Sequence, residues 1–497
     1  MSQYLLGIDA GNTMVKAVLF TVDGNQVAVS SSPGRTYRPH PGHVERDISE
    51  LTAGLRHAIA ECLNMAGIDA KDICGVGAAG HGNGLYMLDR DGRPLKGIQS
   101  IDTRGTTIVD SMNRARQTAH EMSLQKVWAA QTPVLLRWMK EHEPDLLAQA
   151  GALLLCKDVI VNYLTGVICT DISDASIAGL IRFPERRYDA DLLAIYGIGD
   201  LLEKLPPVRE TCDIVGHVTE AAARETGLAA GTPVVAGMID IVASALGSGV
   251  SRVGEASVVV GTWSINQIIV DRPKLDDLVF MTTPFGRDRY MVVEASPTSA
   301  ANLEWFLRTF GVYDDEPGDP AAACSKAVAS VTPTTGLPLY HPYLYGSAFD
   351  GNARGGFYNL TEWHTRADVL YALFEGVTFG HRHHLDTLRA AGAQVDEAVL
   401  SGGGARSEIW PQMFADILGI PITTSHCTET GALGACVAAA VGLELFHSLR
   451  AATDAMATRA HHFEPGRFDA TVLNARYAAF RNLAETMAPA WAASARS

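Results

Sequence analysis

An aspartate that leaves an apolar run and meets a turn of small residues can hold a metal and an anion side by side. Gly7-Ile8-Asp9-Ala10-Gly11-Asn12-Thr13 is such a stretch. Its turn can present backbone N–H groups to an anion, and the Asp9 carboxylate can take a metal directly or through water. Asn12 and Thr13 add an amide and a hydroxyl, and Lys16 on the following run can reach a terminal phosphate as a point charge. Val258-Val259-Val260-Gly261-Thr262 repeats the apolar-run-and-turn pattern later in the chain. Two such hairpins point to two related halves gripping one nucleotide. Gly402-Gly403-Gly404 follows the run Val399-Leu400-Ser401 and offers a flat backbone surface for an adenine or a ribose. Asp240 ends the apolar run Val234-Val235-Ala236-Gly237-Met238-Ile239, at the strand end where open α/β sheets bind ligands. A carboxylate there can take the proton of a hydroxyl that attacks a phosphate. Taken singly, the first turn reads sooner as an ordinary hairpin with a surface lysine, and Asp240 equally as a helix N-cap.

The elements that must position these residues follow from periodicity. Tyr4–Asp9, Val15–Phe20 and Gln26–Ser31 read as a strand meander, with Asp23-Gly24 as a turn. Asp47 to Leu63 has helical apolar spacing. Thr232 to Ile239 reads as a strand, with Ile241 to Leu246 opening a helix and Gly247, Gly249 and Gly254 breaking it. A domain boundary is expected there, with residues 1–246 as one domain and 247–497 as the other. The second half repeats the layout: strands at Ala256–Val260 and Ile265–Val270, a capped helix from Thr365 through Leu388, and a helix over Glu408–Leu418. The segment Glu316–Ala323 and the residues after Ala488 are expected to be mobile.

Bulk properties exclude several classes. A formal net charge of -15 disfavours nucleic acid and anionic membranes as partners, because phosphate backbones demand clustered Lys and Arg. The 8 cysteines include no Cys-x-x-Cys and read as reduced residues. No apolar run approaches the roughly 20 residues of a membrane span, and no basic leader precedes the first run. A cytoplasmic protein is expected.

Three other patterns carry less. Gly75-Val76-Gly77-Ala78-Ala79-Gly80, with Asp102 further on, matches a dinucleotide fingerprint, but a strand follows it where a helix is required. His381, His383 and His384 share one helix, and only His381 and His384 have a spacing that allows a common metal; a satisfied helix surface is expected instead. No Gly-x-Ser-x-Gly elbow supports a serine hydrolase.

Together these residues resemble the FGGY family of carbohydrate kinases, over nearly the whole chain from Leu6 to about Gly442. The motifs occur in family order: the Gly7–Thr13 stretch with Lys16, Gly42-His43-Val44-Glu45-Arg46-Asp47, Asp102-Thr103-Arg104, and Thr170-Asp171 through Asp174-Ala175-Ser176. Gly237–Asp240, Gly261-Thr262, Ala353-Arg354-Gly355-Gly356-Phe357, Gly402–Ala405 and Glu429-Thr430-Gly431-Ala432 complete the series. Within the family the pattern is most similar to L-xylulose (3-keto-L-gulonate) kinases, through Glu294–Ser299, Asn302–Phe306 and Tyr343–Ser347.

The resemblance implies an α/β protein of two actin-like ATPase (ribonuclease H-like) domains with a catalytic cleft between them, sugar mainly on the first and ATP mainly on the second. It implies Asp240 as general base, and Asp9 with Asp240 as the Mg²⁺ carboxylates. Gly11, Asn12, Thr13, Lys16, Gly261 and Thr262 would serve the phosphates, and Gly402, Gly403, Gly404 and Ser407 the adenosine. His81, Gly82, Asn83, Asp102, Arg104 and Glu45 would contact the sugar, with Asp240. The implied partner is a small-molecule sugar, a homodimer being left open. His81-Gly82-Asn83 stands where the L-xylulose type has Gln-Gly-Lys. The missing lysine removes a cation for a sugar-acid carboxylate, which favours a neutral ketose such as xylulose or a polyol of the erythritol or glycerol kind. Asn12 and Trp263 replace the more usual turn residues and leave the backbone donors in place. The non-enzyme alternative is an actin-like ATPase switch module.

Overall fold

The computed structural model describes residues 3–273, 279–311, 319–344, 346–347 and 351–494. Part of the Glu316–Ala323 segment, Tyr345 and the last three residues lie outside the described residues. The chain packs as two compact units.

The first unit is built on a sheet that begins with β1 (Tyr4–Ala10), β2 (Met14–Thr21) and β3 (Gln26–Pro33), an antiparallel meander. Strand β4 (Ile73–Gly80) then pairs parallel to β1, and Pro233–Val235 and Met238–Ile239 pair parallel to β4. The last run was expected as one strand; it breaks at Gly237, whose φ of 78° turns the chain. The helix Ile48–Ala66 covers β2 and β3, with the Asp47 side chain accepting from Ser49 and Glu50 N–H as its N-cap.

The second unit repeats this plan. Strands Glu255–Val260 and Ser264–Val270 form the hairpin, and Glu397–Ser401 and Ile422–Ser425 add parallel strands beyond it. The helix Arg366–Ala390 opens with the expected capping box between Thr365 and Asp368. The hairpin with parallel strands laid along its first strand, present twice, is the arrangement expected of the actin-like fold.

The units are interleaved in sequence, unlike the single boundary expected near residue 247. The first holds Met1–Ser251, Asp271–Val292 and Glu429–Thr458; the second holds Arg252–Val270, Val293–Thr428 and Arg459–Ser497. The cause is the helix Thr430–Gly442, whose sides are almost all apolar or small and therefore need cover all round. It lies on β1 and β4 and against the helix Asp240–Gly247. Its backbone comes so close that a Cβ at Gly7 would strike the Ala432 carbonyl and one at Gly77 the Ala435 carbonyl. The glycine pattern of β4 is thus a helix-packing surface, which explains its false match to a dinucleotide fingerprint.

His381 and His384 are satisfied by hydrogen bonds, as expected, but inside the fold and not on a helix surface. Both are buried, in a polar network with Ser264, Asn266 and Ser299. The apolar faces of the helix Arg366–Ala390 are covered on several sides, so period alone did not show which face is solvated. Among the described residues no helix is long and apolar enough to cross a membrane.

Candidate active site

The β1–β2 turn is held open from behind. Arg46 Nη1 donates to the Gly11 carbonyl at 2.9 Å, and Gln99 Nε2 donates to the Asn12 carbonyl at 2.6 Å. Thr13 accepts from Gly34 N–H at 2.7 Å, and the Asn12 side chain donates to Ser100 Oγ at 3.0 Å. With the carbonyls tied back, the N–H side of the turn is the free one. A Cβ on Gly11 would meet nothing nearer than 3.8 Å, and Gly11 does not have a positive φ. Neither packing nor conformation therefore requires glycine there, which leaves close approach by a ligand as its physical reason. Arg46 stands in the Gly42–Asp47 motif with no role assigned to it from the sequence, and Gln99 was not singled out, because only the turn residues themselves follow the phosphate pattern.

The Asp9 charge bears on Asp240. Burial, and then the Asp9 charge, raise the Asp240 carboxyl to about 7. Burial raises Asp9 to about 6, against the pull of Lys16 and with a further push from Glu429. Two carboxylates that each suffer from burial, one of them directly from the other's charge, are a site that gains from a cation. Among the described residues no three His, Cys, Asp or Glu side chains converge as a ready-made metal cage. Lys16, expected on a phosphate, is paired with Glu429 at 2.7 Å. The N-terminal turn of Thr430–Gly442 presses on Asp9: a Cβ at Gly431 would collide with Asp9 Oδ2 and lie 2.9 Å from its Cγ. Asp240 is the first residue of its helix rather than the cap, which is Ile239.

Of the residues expected on the sugar, His81, Gly82 and Asn83 follow the end of β4, and Glu45, Asp102 and Arg104 form an ion-paired group. His81 is buried, with Nε2 2.9 Å from the Tyr86 hydroxyl, and burial lowers its pKa to about 4, so it is neutral. Gly82 packs against Ile239, the neighbour of Asp240. Asn83 is buried at φ 61°, and its Oδ1 has no hydrogen-bond partner among the described residues. Asp102 is buried and holds Arg104 through Nε at 2.9 Å and Nη2 at 2.9 Å, while also accepting from Val44 N–H at 2.6 Å. Arg104 reaches Glu45 at 2.8 Å and stacks on Trp138; its Nη1 is buried without a partner. Burial would raise Glu45, but Arg104 and Lys96 together bring its pKa below the usual carboxylate value.

In the second unit the Gly261-Thr262 turn joins the hairpin strands, and Ala300 N–H donates to the Gly261 carbonyl at 2.8 Å. A Cβ on Gly261 would meet nothing nearer than 3.9 Å, the same openness as at Gly11. The triple-glycine loop lies directly on the strand that leads into this turn: a Cβ at Gly402 would come 2.8 Å from the Val260 carbonyl, and one at Gly404 would strike its side chain. Gly403 faces open space. Ser407 spends its hydroxyl locally, accepting from Trp410 N–H at 3.2 Å at the start of the helix Trp410–Leu418 and lying 3.0 Å from Ser325 Oγ.

Comparison with known proteins decides the family. Residues 4–247 match the N-terminal domain, and 256–443 the C-terminal domain, of the FGGY family of carbohydrate kinases. The chain belongs to that family. It is therefore an ATP-dependent phosphotransferase that acts on a sugar hydroxyl. The kinase is 36% identical over 456 residues to the L-xylulose/3-keto-L-gulonate kinase of Escherichia coli K12, covering 90% of each chain. It is 32% identical to a probable L-xylulose kinase of Haemophilus influenzae, over 88% of this chain and 90% of the relative. Among solved structures, the xylulose kinase of Rhodospirillum rubrum superposes with a TM-score of 0.89 at 26% identity, over 98% of this chain and 100% of that one. The two-domain α/β fold of the kinase is thus the fold of FGGY sugar kinases.

Proposed function

We propose that the kinase phosphorylates a neutral ketopentose of the xylulose kind with MgATP. The observation that carries this reading is the pair of orphaned buried atoms on the sugar side, Asn83 Oδ1 and Arg104 Nη1. One is an acceptor and the other a donor, and buried polar atoms without partners are costly unless a ligand supplies them. A sugar hydroxyl both donates and accepts, so a polyhydroxylated ligand satisfies both. The cations beside them, Arg104 and Lys96, are already neutralised by Asp102, Glu45 and Glu143. Xylulose stands in the names of the relatives, beside the sugar acid 3-keto-L-gulonate in that of the Escherichia coli kinase.

In this reading Asp240 accepts the proton of the attacking hydroxyl, and its raised pKa of about 7 matches a base that works near neutrality. Asp9 and Asp240 hold Mg²⁺, which would neutralise charge on the phosphates. The N–H faces of the Gly11–Thr13 and Gly261-Thr262 turns bind phosphate oxygens, and the Gly402–Gly404 loop supports the adenosine. Phosphoryl transfer asks mainly for positioning and charge neutralisation, which these groups supply. Asp240→Asn should lower turnover by about 10²–10⁴-fold while ATP still binds; turnover like that of the wild type would refute the assignment.

A sugar acid has one observation in its favour. Arg46 is buried, makes no ion pair among the described residues, and leaves Nε without a partner. Coupled ADP-release assays over pentuloses, tetritols and keto-sugar acids separate the readings: the neutral ketose should be turned over with the highest kcat/KM.

A further inference from the structure

Behind Asp240 lies a buried ionic cluster that the reaction does not itself use. Lys157 Nζ, fully buried, bonds Asp158 Oδ1 at 2.6 Å, lies 3.5 Å from Asp171 Oδ1, and donates to the Ala236 carbonyl at 3.2 Å. Asp171 Oδ2 accepts from Ser173 N–H at 2.8 Å, from Ser173 Oγ at 2.6 Å and from Thr211 Oγ1 at 3.1 Å. Ser173 Oγ, with its proton committed to Asp171, accepts the backbone N–H of Ile239 at 3.2 Å. Thr283 Oγ1 fixes Ser173 in turn, donating to its carbonyl at 3.0 Å. The cluster therefore touches the base-bearing segment at two backbone points, the Ala236 carbonyl and the Ile239 N–H, on either side of the bend at Gly237. A Cβ at Gly237 would strike the Ala78 carbonyl of β4 and come 3.0 Å from Lys157 Cδ, so the bend is closed in by β4 and by this lysine together. The same short strand pairs with Ala79 and Gly80, one residue before His81.

A buried lysine surrounded by carboxylates is expensive to assemble and adds little net stability. Burial would lower the Lys157 pKa, but Asp158, Asp171 and Asp174 reverse that and raise it, so its charge is held. Asp174 has no hydrogen-bond partner for either oxygen; burial, and the Asp158, Asp171 and Asp240 charges, outweigh Lys157 and raise it well above the usual range. Its neutral form leaves the cluster closer to balance. Such an arrangement is explained by what it orients rather than by stability.

We propose that Lys157 and Ser173 are positioning residues for phosphoryl transfer, locking the backbone of residues 236–239 so that Asp240 meets the attacking hydroxyl in one orientation. This rests on Asp240 as the base. Misplacing a reacting group by about 1 Å costs on the order of 10²-fold in rate. Ser173→Ala, which deletes the acceptor of the Ile239 N–H, should lower kcat by about 10- to 100-fold and leave the KM for ATP within about twofold. Ser173→Cys keeps the volume but accepts weakly, and its kcat should fall between wild type and Ser173→Ala. Thr211→Val removes a side-chain donor to the same Asp171 oxygen and keeps the backbone carbonyl by which Thr211 accepts from Gly237 N–H at 3.2 Å; it should lower the melting temperature and leave kcat within about twofold. Wild-type kcat in either Ser173 variant overturns the proposal, as does an equal loss of kcat in Ser173→Ala and Thr211→Val in step with their melting temperatures. Asp240→Asn run in parallel separates the two claims. If it retains turnover, the base assignment fails; if it is inactive while Ser173→Ala is normal, only the positioning role fails.

Discussion

Gly431→Ala tests the idea that the helix Thr430–Gly442 sets the position of the Asp9 carboxylate. The new methyl would lie 2.9 Å from Asp9 Cγ and closer still to Oδ2. Carbon atoms settle at about 3.5–4.0 Å, so the carboxylate must retreat by roughly 0.6–1 Å. The backbone has little reason to yield, because this helix is anchored through the close contacts of Gly7 and Gly77 with Ala432 and Ala435. Alanine also suits a helix better than glycine, by about 0.5–1 kcal/mol. The expected result is a protein whose melting temperature is unchanged or slightly raised and whose kcat falls by about 10- to 100-fold. Its Mg²⁺ requirement should move to higher concentration. Gly434→Ala on the same helix is the control: its methyl would strike the Ala243 carbonyl and come 2.7 Å from the Ala243 Cα, so it should lower stability instead. Coupled-enzyme kinetics across a Mg²⁺ titration, with thermal melts of both variants, make the comparison. Wild-type turnover and Mg²⁺ dependence in folded Gly431→Ala would refute the reasoning.

Gly11→Ala and Gly261→Ala have room for a methyl within the protein, so both should fold with wild-type melting temperatures and raise the KM for ATP about tenfold or more; unchanged ATP kinetics would remove the turns from the phosphate site. His384 is held neutral by burial, its pKa lowered to about 4 from the usual value near 6.5. Between those values only the unfolded chain takes up the proton, so acid costs stability. His384→Gln should therefore lose less stability than wild type on going from pH 7.5 to 5, by about 2 kcal/mol in urea unfolding. The opposing contributions of Asp9 and Asp240, which bind protons more readily when folded, are common to both proteins and cancel; parallel pH dependence in the two would contradict a neutral His384.

Much was legible in the sequence because it is local. A β-hairpin, the turn that closes it and the carboxylate at its strand end are fixed by neighbours a few residues apart, so Asp9, Gly11–Thr13, Gly261-Thr262 and Asp240 could be named from pattern. The order of those motifs gave the family. Other features were settled by partners far away in the chain, and no local period reports them. Lys16 is taken by Glu429, 413 positions on, and Gly431 bears on Asp9 across a similar span. The helix Thr430–Gly442 joins the first unit because it is apolar on nearly every side and the glycines of β1 and β4 give it a bed. His381 and His384 are buried because the helix that carries them is covered on more than one face. Arg46, Lys157 and Ser173 acquire roles only through what they touch: the Gly11 carbonyl, the Ala236 carbonyl and the Ile239 N–H. The sequence by itself determined the chemistry on offer and the strand ends that present it. The tertiary structure decided which charges are already paired, which buried atoms have no partner among the described residues and which glycines serve packing. Those outcomes depend on burial and close approach between distant segments, and burial is a property of the folded chain alone.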